Sequence, residues 1–354
     1  MFYKELLTIL ELAQRAPSGD NIQPWKVFYK KRNLSKIEIF YDIQKEDFFN
    51  FENRATFVSC GCYLKTLEIA ATGFGYSTII KFDDSSSKRI ATIHFKKSLV
   101  KQSLLFPSIT KRITNRNAYD SSKFIDKKII HKLNEVVKKF NLTLNHIKKE
   151  QKNQVDDLCF KVEQIKIENW KAISTIFNSV KFEEKPKTGL DFRSLNLGKS
   201  AKITSYLLRK KKLVSFFKVL GISKKIAKET SYDLTSNTND LFFLTGNVKM
   251  TKKNLVSVGM CIQEVWLELT SKEYTMQPFV NFSFMLQRFL HKEHSQSYSQ
   301  EEQIKLKNII SLLYSTMNLD IKKDLPLFFF RAGIPLSDTV KTYRKNIEDI
   351  IVNE

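Results

Sequence analysis

Apolar positions along this chain follow two periods, and the switches between them divide it into elements. Phe2, Leu6, Ile9, Leu10 and Ala13 recur at helical spacing, and Pro17-Ser18-Gly19 stops that helix. Trp25-Lys26-Val27-Phe28-Tyr29 reads as a strand. Across the polar turn Lys31-Arg32-Asn33, Ile37, Ile39 and Tyr41 alternate as its return. A long helix follows at about residues 53–73, with Phe57, Gly61, Leu64, Leu67, Glu68 and Ala71 close to one stripe and Gly73 and Gly75 at its end. Short strands near 77–82 and 89–95 flank Asp83-Asp84-Ser85-Ser86-Ser87. Helix, hairpin, helix, hairpin is an α+β pattern and not alternating βαβ.

A second unit begins near Pro107, so the chain divides into 1–105 and 106–354. The pattern predicts a helix at 125–137, a strand at 142–147 and one long helix over 154–180. An insertion at about 183–238 follows, opened by Gly189-Leu190-Asp191 and suited to a lid. A strand at 241–245, a helix at 252–272 and an apolar strand, Leu327-Phe328-Phe329-Phe330, precede a charged tail. The two long helices resemble each other: Ser59-Cys60-Gly61-Cys62-Tyr63-Leu64 compares with Ser257-Val258-Gly259-Met260-Cys261-Ile262. Glycines at the same phase predict a close helix–helix approach at a pseudo-twofold axis. Chance likeness of two amphipathic helices is the alternative.

With 354 residues, 42% of them hydrophobic, the chain can bury one large core or two medium ones. Its 10 glycines and 7 prolines leave little material for long flexible linkers. No apolar run reaches the roughly 18 residues of a membrane span. The first residues carry acids among their apolar positions, unlike a signal peptide. Cys60, Cys62, Cys159 and Cys261 show no zinc spacing, and a reducing cytoplasm is expected. Within the net charge of +22, ten basic residues and no acid fall at 199–228, around Leu207, Leu208, Val214, Phe216, Phe217, Val219 and Leu220. This is either a solvated lysine face over a buried stripe or a contact for anionic lipid or nucleic acid.

Candidate chemistry sits in three places. The run Ala13-Gln14-Arg15-Ala16-Pro17-Ser18-Gly19-Asp20-Asn21-Ile22-Gln23-Pro24-Trp25 puts small residues after a helix end, where backbone groups can approach a flat ring; Asn21 adds an amide and Trp25 an anchor. Ile109-Thr110-Lys111-Arg112-Ile113-Thr114-Asn115-Arg116-Asn117-Ala118-Tyr119 offers two guanidinium forks and a hydroxyl, the groups that hold phosphate. Arg331-Ala332-Gly333 and Lys341-Thr342-Tyr343-Arg344 close the chain with further basic residues. His94, His131, His146, His291 and His294 form no evident ligand pair, and His291-x-x-His294 reads as solvated.

These motifs resemble those of the nitroreductase family, whose signature loop runs "APS-x-x-N-x-Q-P-W" and whose opening segment runs "R-x-S-x-R-x-F". Their order here is inverted, with the small-residue loop first and the arginines a hundred residues later. That order resembles the double-length, Acg-type branch, in which two degenerate halves form an intrachain pseudo-dimer around one FMN beneath a lid. The resemblance implies a nitroreductase-like fold of antiparallel-type sheets flanked by helices. It places Pro17, Ser18, Gly19 and Asn21 at the ring and Arg112, Thr114 and Arg344 on the phosphate. Arg116 would lie near the N1/O2 edge, and a backbone amide of Met276 or Gln277 near N5. Asp20 stands where that branch commonly has histidine. The implied activity is NAD(P)H-dependent reduction of a nitroaromatic or quinone-type small molecule, by a monomer or homodimer. No metal and no acid–base side chain is called for, since the flavin carries the redox step. The alternative is an FMN-sequestering protein with a closed lid and little turnover.

Overall fold

The computed structural model describes residues 1–42, 46–85, 87–195 and 200–352. Ser86 of the expected turn, Lys199 of the basic run and residues 196–199 of the insertion lie outside them.

The first hundred residues form the expected elements. Helix α1 is Tyr3–Ala13, strands β1 and β2 are Trp25–Lys30 and Asn33–Tyr41, and α2 is Arg54–Thr72. The second hairpin is β3 (Tyr76–Phe82) and β4 (Arg89–Lys97). The four strands pair antiparallel in the order β1-β2-β4-β3. The second sheet contains β5 (Thr143–His146), β6 (Asp240–Gly246), β7 (Thr275–Pro278) and β8 (Leu325–Gly333), in the order β5-β6-β8-β7. The charged tail was not expected to carry a strand. It returns to the first sheet, where β9 (Ile351–Val352) pairs parallel with β1 at its open edge.

The unbroken apolar runs in β6 and β8 are explained by burial on both faces. Phe242, Leu244, Phe328 and Phe330 belong to the main core, whereas Leu241, Phe243 and Phe329 belong to a second cluster. That cluster is completed by α4 (Lys149–Glu168), α7 (Val280–Leu290) and α8 (Gln300–Met317), with α3 (Lys127–Lys138), α5 (Trp170–Ser179) and α6 (Lys252–Ser271) the remaining long helices. One long helix over 154–180 is corrected to two, α4 and α5. Asn169 breaks the run with an extended backbone (ψ 106°), and its side chain accepts from the Ala172 amide to cap α5. Helices α7 and α8 were not foreseen, although α8 opens on a capping box, Ser299 with Glu302.

Helices α2 and α6 pack along each other between the two sheets, and both are buried nearly all round. Their glycines meet as the repeat implied. A Cβ on Gly61 would fall 2.0 Å from the Val256 carbonyl oxygen, and one on Gly259 would fall 2.0 Å from that of Val58. The Cys62 thiol also contacts the Gly259 carbonyl (3.2 Å), and Gln263 Nε2 donates to Thr66 Oγ1 (2.9 Å).

The basic segment forms short helices, Ser200–Leu207, Lys211–Val219 and Ile222–Ala227. Leu208, Val214 and Ala227 pack against Ile167 and Ile173, but Ile203, Phe216, Val219 and Leu220 remain exposed, so the buried stripe is narrower than the sequence pattern suggested. Among the described residues, no helix is long and apolar enough to cross a membrane.

Candidate functional site

The small-residue loop leaves the end of α1 on a fixed path. Trp25 is fully buried, stacks on Tyr63 (ring centroids 4.7 Å apart) and donates its indole N–H to Gln14 Oε1 (2.6 Å). Ser18 Oγ accepts from the Gln23 amide, and Ser59 Oγ of α2 accepts from the Gly19 amide. Asp20, Asn21 and Gln23 all have left-handed backbones, φ 47°, 55° and 52°. Such non-glycine conformations cost about 1–3 kcal/mol each and persist only where neighbours over-determine them. Here the buried Gln23 does so. Its Nε2 donates to the carbonyls of Lys187 (2.8 Å) and Asn21 (3.0 Å), and its Oε1 accepts from the Lys345 amide (2.9 Å). Asn21 Nδ2 donates to the Tyr343 carbonyl, and Asn21 Oδ1 accepts from Arg344. One strained loop is thereby tied to the tail and to the insertion.

This loop forms one wall of a cavity of about 250 Å³, close to the lower end of the roughly 300–1,000 Å³ usual for small-molecule sites. Ile262 and Trp266 of α6, Val280 and Phe284 of α7, and Leu327 and Phe328 of β8 supply its apolar surface. Thr175, Ile176, Gly189, Leu190, Asp191 and Ser194 line it from α5 and the start of the insertion. Eight of the ten expected positions meet there: Pro17, Ser18, Gly19, Asn21, Arg112, Thr114, Arg116 and Arg344. Met276 and Gln277, expected to offer a backbone amide, do not line the cavity. Both are paired to β8, Met276 opposite Ala332 and Gln277 opposite Arg331. Met276 is also bridged to Thr114, and the Gln277 side chain accepts from Arg331 Nε. Pro278, which has no N–H, is the β7 residue that reaches the cavity.

At one end of the cavity three guanidiniums gather without a carboxylate. Burial, together with Arg344 and Arg15, pushes Arg112 down to about 9. Burial and Arg15 push Arg344 down to about 10. Arg112 donates from Nη2 to the Arg15 carbonyl (2.7 Å) and lies over Trp266 (4.6 Å to the ring centroid). Its Nε is buried and finds no partner among the described residues. Arg15 makes no side-chain hydrogen bond or ion pair there either. Arg15 is exposed and Arg344 is hydrogen-bonded, but Arg112 is a buried cation with an unpaired donor, a costly arrangement that an anion beside it would relieve. Arg15 was not among the expected residues, although it lies inside the recognised loop; its exposed position in the pattern hid it. Gln23 and Trp266 were also overlooked as site residues.

Arg116 lies at the opposite side of the charge balance. It donates to the Ser194 carbonyl (3.1 Å), and burial lowers it while Asp20 raises it. Asp20 also lines the cavity and is half-buried. Burial pushes its carboxyl up to about 6, against the lowering effect of a Ser179 hydrogen bond, with Asp47 adding to the rise and Arg116 opposing it. Between about pH 4 and 6 the folded chain keeps a proton that the unfolded chain has lost, so stability falls as pH rises through that window and then levels off. Asp20→Asn is expected to stabilise the ligand-free protein by roughly 2 kcal/mol at pH 7.5 and far less at pH 4 in urea melts. Equal gains at both pH values would assign the effect to the left-handed backbone, which asparagine tolerates well.

No family profile matches the sequence, and no curated protein is significantly similar to it. Similar solved structures include the FMN and NADPH-dependent nitroreductase NfnB from sphigopyxis sp. strain HMH, at 11% identity and a TM-score of 0.39, over 71% of this chain and 98% of that one. A nitroreductase with bound FMN from Desulfitobacterium hafniense DCB-2 aligns at 10% identity and a TM-score of 0.37, again over 71% and 98%. Superpositions at this level carry no weight for the function, which rests on the residues of the cavity.

Proposed function

We propose that the cavity holds one FMN and that the chain is an FMN-dependent oxidoreductase of nitroreductase type, built as two degenerate halves (1–105 and 106–354) of the Acg-type branch. The observation that carries this reading is the carboxylate-free cluster of Arg15, Arg112 and Arg344, with the orphaned Arg112 Nε, at the end of a cavity walled by the small-residue loop. A phosphate monoester satisfies those donors through charge-assisted bonds. Thr114 adds its hydroxyl to the phosphate, Arg116 lies at the ring edge, and Pro17, Ser18 and Gly19 bring backbone against the ring. When bound, the flavin supplies hydride transfer, from NAD(P)H to a nitroaromatic or quinone-type acceptor. The chain's own part is to orient the ring, to exclude water through Trp266, Phe284 and Phe328, and to hold the Arg116 charge at the pyrimidine edge. Asp20 offsets part of that charge, an effect a histidine in its place would not have.

The purified chain is expected to be yellow or to take up added FMN at one per chain, and to oxidise NAD(P)H with menadione or nitrofurazone as acceptor. A colourless protein that ignores FMN removes the proposal. The sequestering alternative draws on the cover that Gly189, Leu190, Asp191 and Ser194 of the insertion give the cavity, beside Thr175 and Ile176. Rapid reduction by NAD(P)H counts against it, and bound flavin that stays oxidised favours it.

A further inference from the structure

Outside the cavity, three Lewis-basic side chains from two distant parts of the sequence converge. His291 Nε2 lies 3.2 Å from Glu52 Oε1 and His294 Nε2 lies 3.8 Å from the same atom. Ligand atoms of all three residues fall within 4.8 Å of one another. Tetrahedral zinc, with bonds of about 2.0–2.1 Å, sets its ligand atoms about 3.3–3.4 Å apart. The two Glu52–imidazole separations bracket that edge, and the imidazole–imidazole separation is at most 4.8 Å, so side-chain rotations within the cluster would bring the set to it.

The local backbone aims these groups. Glu52 and Asn53 are consecutive left-handed residues (φ 51° and 57°) just before α2, which turns the Glu52 carboxylate away from the cavity-lining Asp47, Phe49 and Asn50. Arg54 Nη2 holds the other oxygen, Oε2, at 2.7 Å and leaves Oε1 to the imidazoles. His291 occupies the junction between α7 and the one-turn helix Lys292–Ser295, and His294 follows within that turn. The imidazole of His294 is fixed against the Phe51 ring (centroids 4.9 Å apart). Sequence spacing alone reads the two histidines as solvated. Both side chains are only partly exposed, at 30% and 19%.

We infer that Glu52, His291 and His294 form a three-ligand site for a divalent transition metal, zinc by donor type, with its fourth position open to water. Two imidazoles and one carboxylate suit a borderline cation and not magnesium or calcium, which require more oxygen ligands. The metal would staple the segment 47–53 to the end of α7, and so would fix the wall of the cavity from behind. Arg54 orients the carboxylate in the manner of an outer-shell partner. It also neutralises part of the carboxylate charge, which makes the expected affinity weaker than that of a site with an unpaired carboxylate. The site does not depend on what occupies the cavity.

Metal-stripped full-length protein, titrated with ZnCl2 against a chromophoric chelator, is expected to bind one Zn²⁺ per chain, with MgCl2 and CaCl2 showing no competition. Glu52→Gln and His294→Ala should each weaken binding by at least about tenfold, with unchanged circular dichroism. His131→Ala, which removes the exposed His131–Glu135 pair, should leave it unchanged. Zn²⁺ should also raise the melting temperature of the wild type but not of His294→Ala. Absence of stoichiometric binding, or equal affinity in Glu52→Gln, His294→Ala and wild type, overturns the inference whether or not FMN binds.

Discussion

Arg112→Met should weaken FMN binding by about a hundredfold or more, while leaving the ligand-free protein at least as stable as the wild type. The opposite signs follow from the charges around Arg112. In the ligand-free chain its guanidinium is buried beside Arg344 and Arg15, with one donor unpaired, so an apolar side chain of similar length relieves repulsion and desolvation. What is lost is one hydrogen bond, to the Arg15 carbonyl, and the contact over Trp266. With a phosphate present the same cation becomes half of a buried charge pair, and removing one partner of such a pair costs roughly 2–5 kcal/mol. Arg331 is the control. It is similarly buried, but all three of its guanidinium nitrogens donate, to Gln277, Leu234, Thr238 and Asn117, so Arg331→Met leaves several acceptors stranded. Its expected cost is about 3 kcal/mol or more in the ligand-free state. FMN fluorescence titrations and urea melts with and without FMN separate the two cases. If Arg112→Met proves as destabilising as Arg331→Met and leaves FMN affinity intact, the arginine cluster is structural.

The contrast between these two arginines also marks what the sequence could reveal. Both stand in basic motifs, Arg112 just after the short helix Ser108–Lys111 and Arg331 within β8, and nothing in the local sequence separates the one whose nitrogens all find partners from the one whose Nε does not. That difference is made by Leu234 and Thr238, contributed by the insertion. The elements around the site were legible where a single periodicity spanned them, as in α2 and α6, whose apolar stripe and glycines signalled both the helices and their contact. The loop at 13–25 was legible because each of its residue types meets a separate local demand: helix stop, small residues, amide, indole anchor. Legibility failed where a residue's partner lies far along the chain. Met276 and Gln277 were assigned to the ring from their place in the order of motifs. Pairing with β8 and the bridge to Thr114, neither visible in sequence, turn them into the sheet. The strand Ile351–Val352 escaped for a similar reason: a two-residue edge strand has no period, and only the vacant side of β1 gives it a partner.

Gly259→Ala should cost about 4 kcal/mol or more, or prevent folding, a large effect for a single methyl group. The added carbon would lie 2.0 Å from the Val58 carbonyl oxygen and 3.0 Å from Gly61 Cα, all backbone of α2, so no side-chain rotation can make room. The helices would have to part by more than about 1 Å. Dispersion contacts along the seam fall off steeply with such a gap, and the Gln263–Thr66 hydrogen bond would be pulled apart in a buried setting. Gly61→Ala faces the Val256 carbonyl at the same 2.0 Å and should behave alike. The cavity shares the damage, because Ser59 and Cys62 on α2 and Ile262 and Trp266 on α6 line it on either side of this contact. Gly19→Ala provides the counter-case: the nearest atom to its new carbon is Ala55 Cβ at 3.8 Å, an ordinary contact, so the ligand-free fold has room for it. Urea melts of the three variants should therefore show two severe losses and one near-neutral change. A drop in FMN affinity confined to Gly19→Ala, with stability kept, would be the mark of a ring lying directly against that loop. A Gly259→Ala protein as stable as the wild type would mean that α2 and α6 do not meet at their glycines.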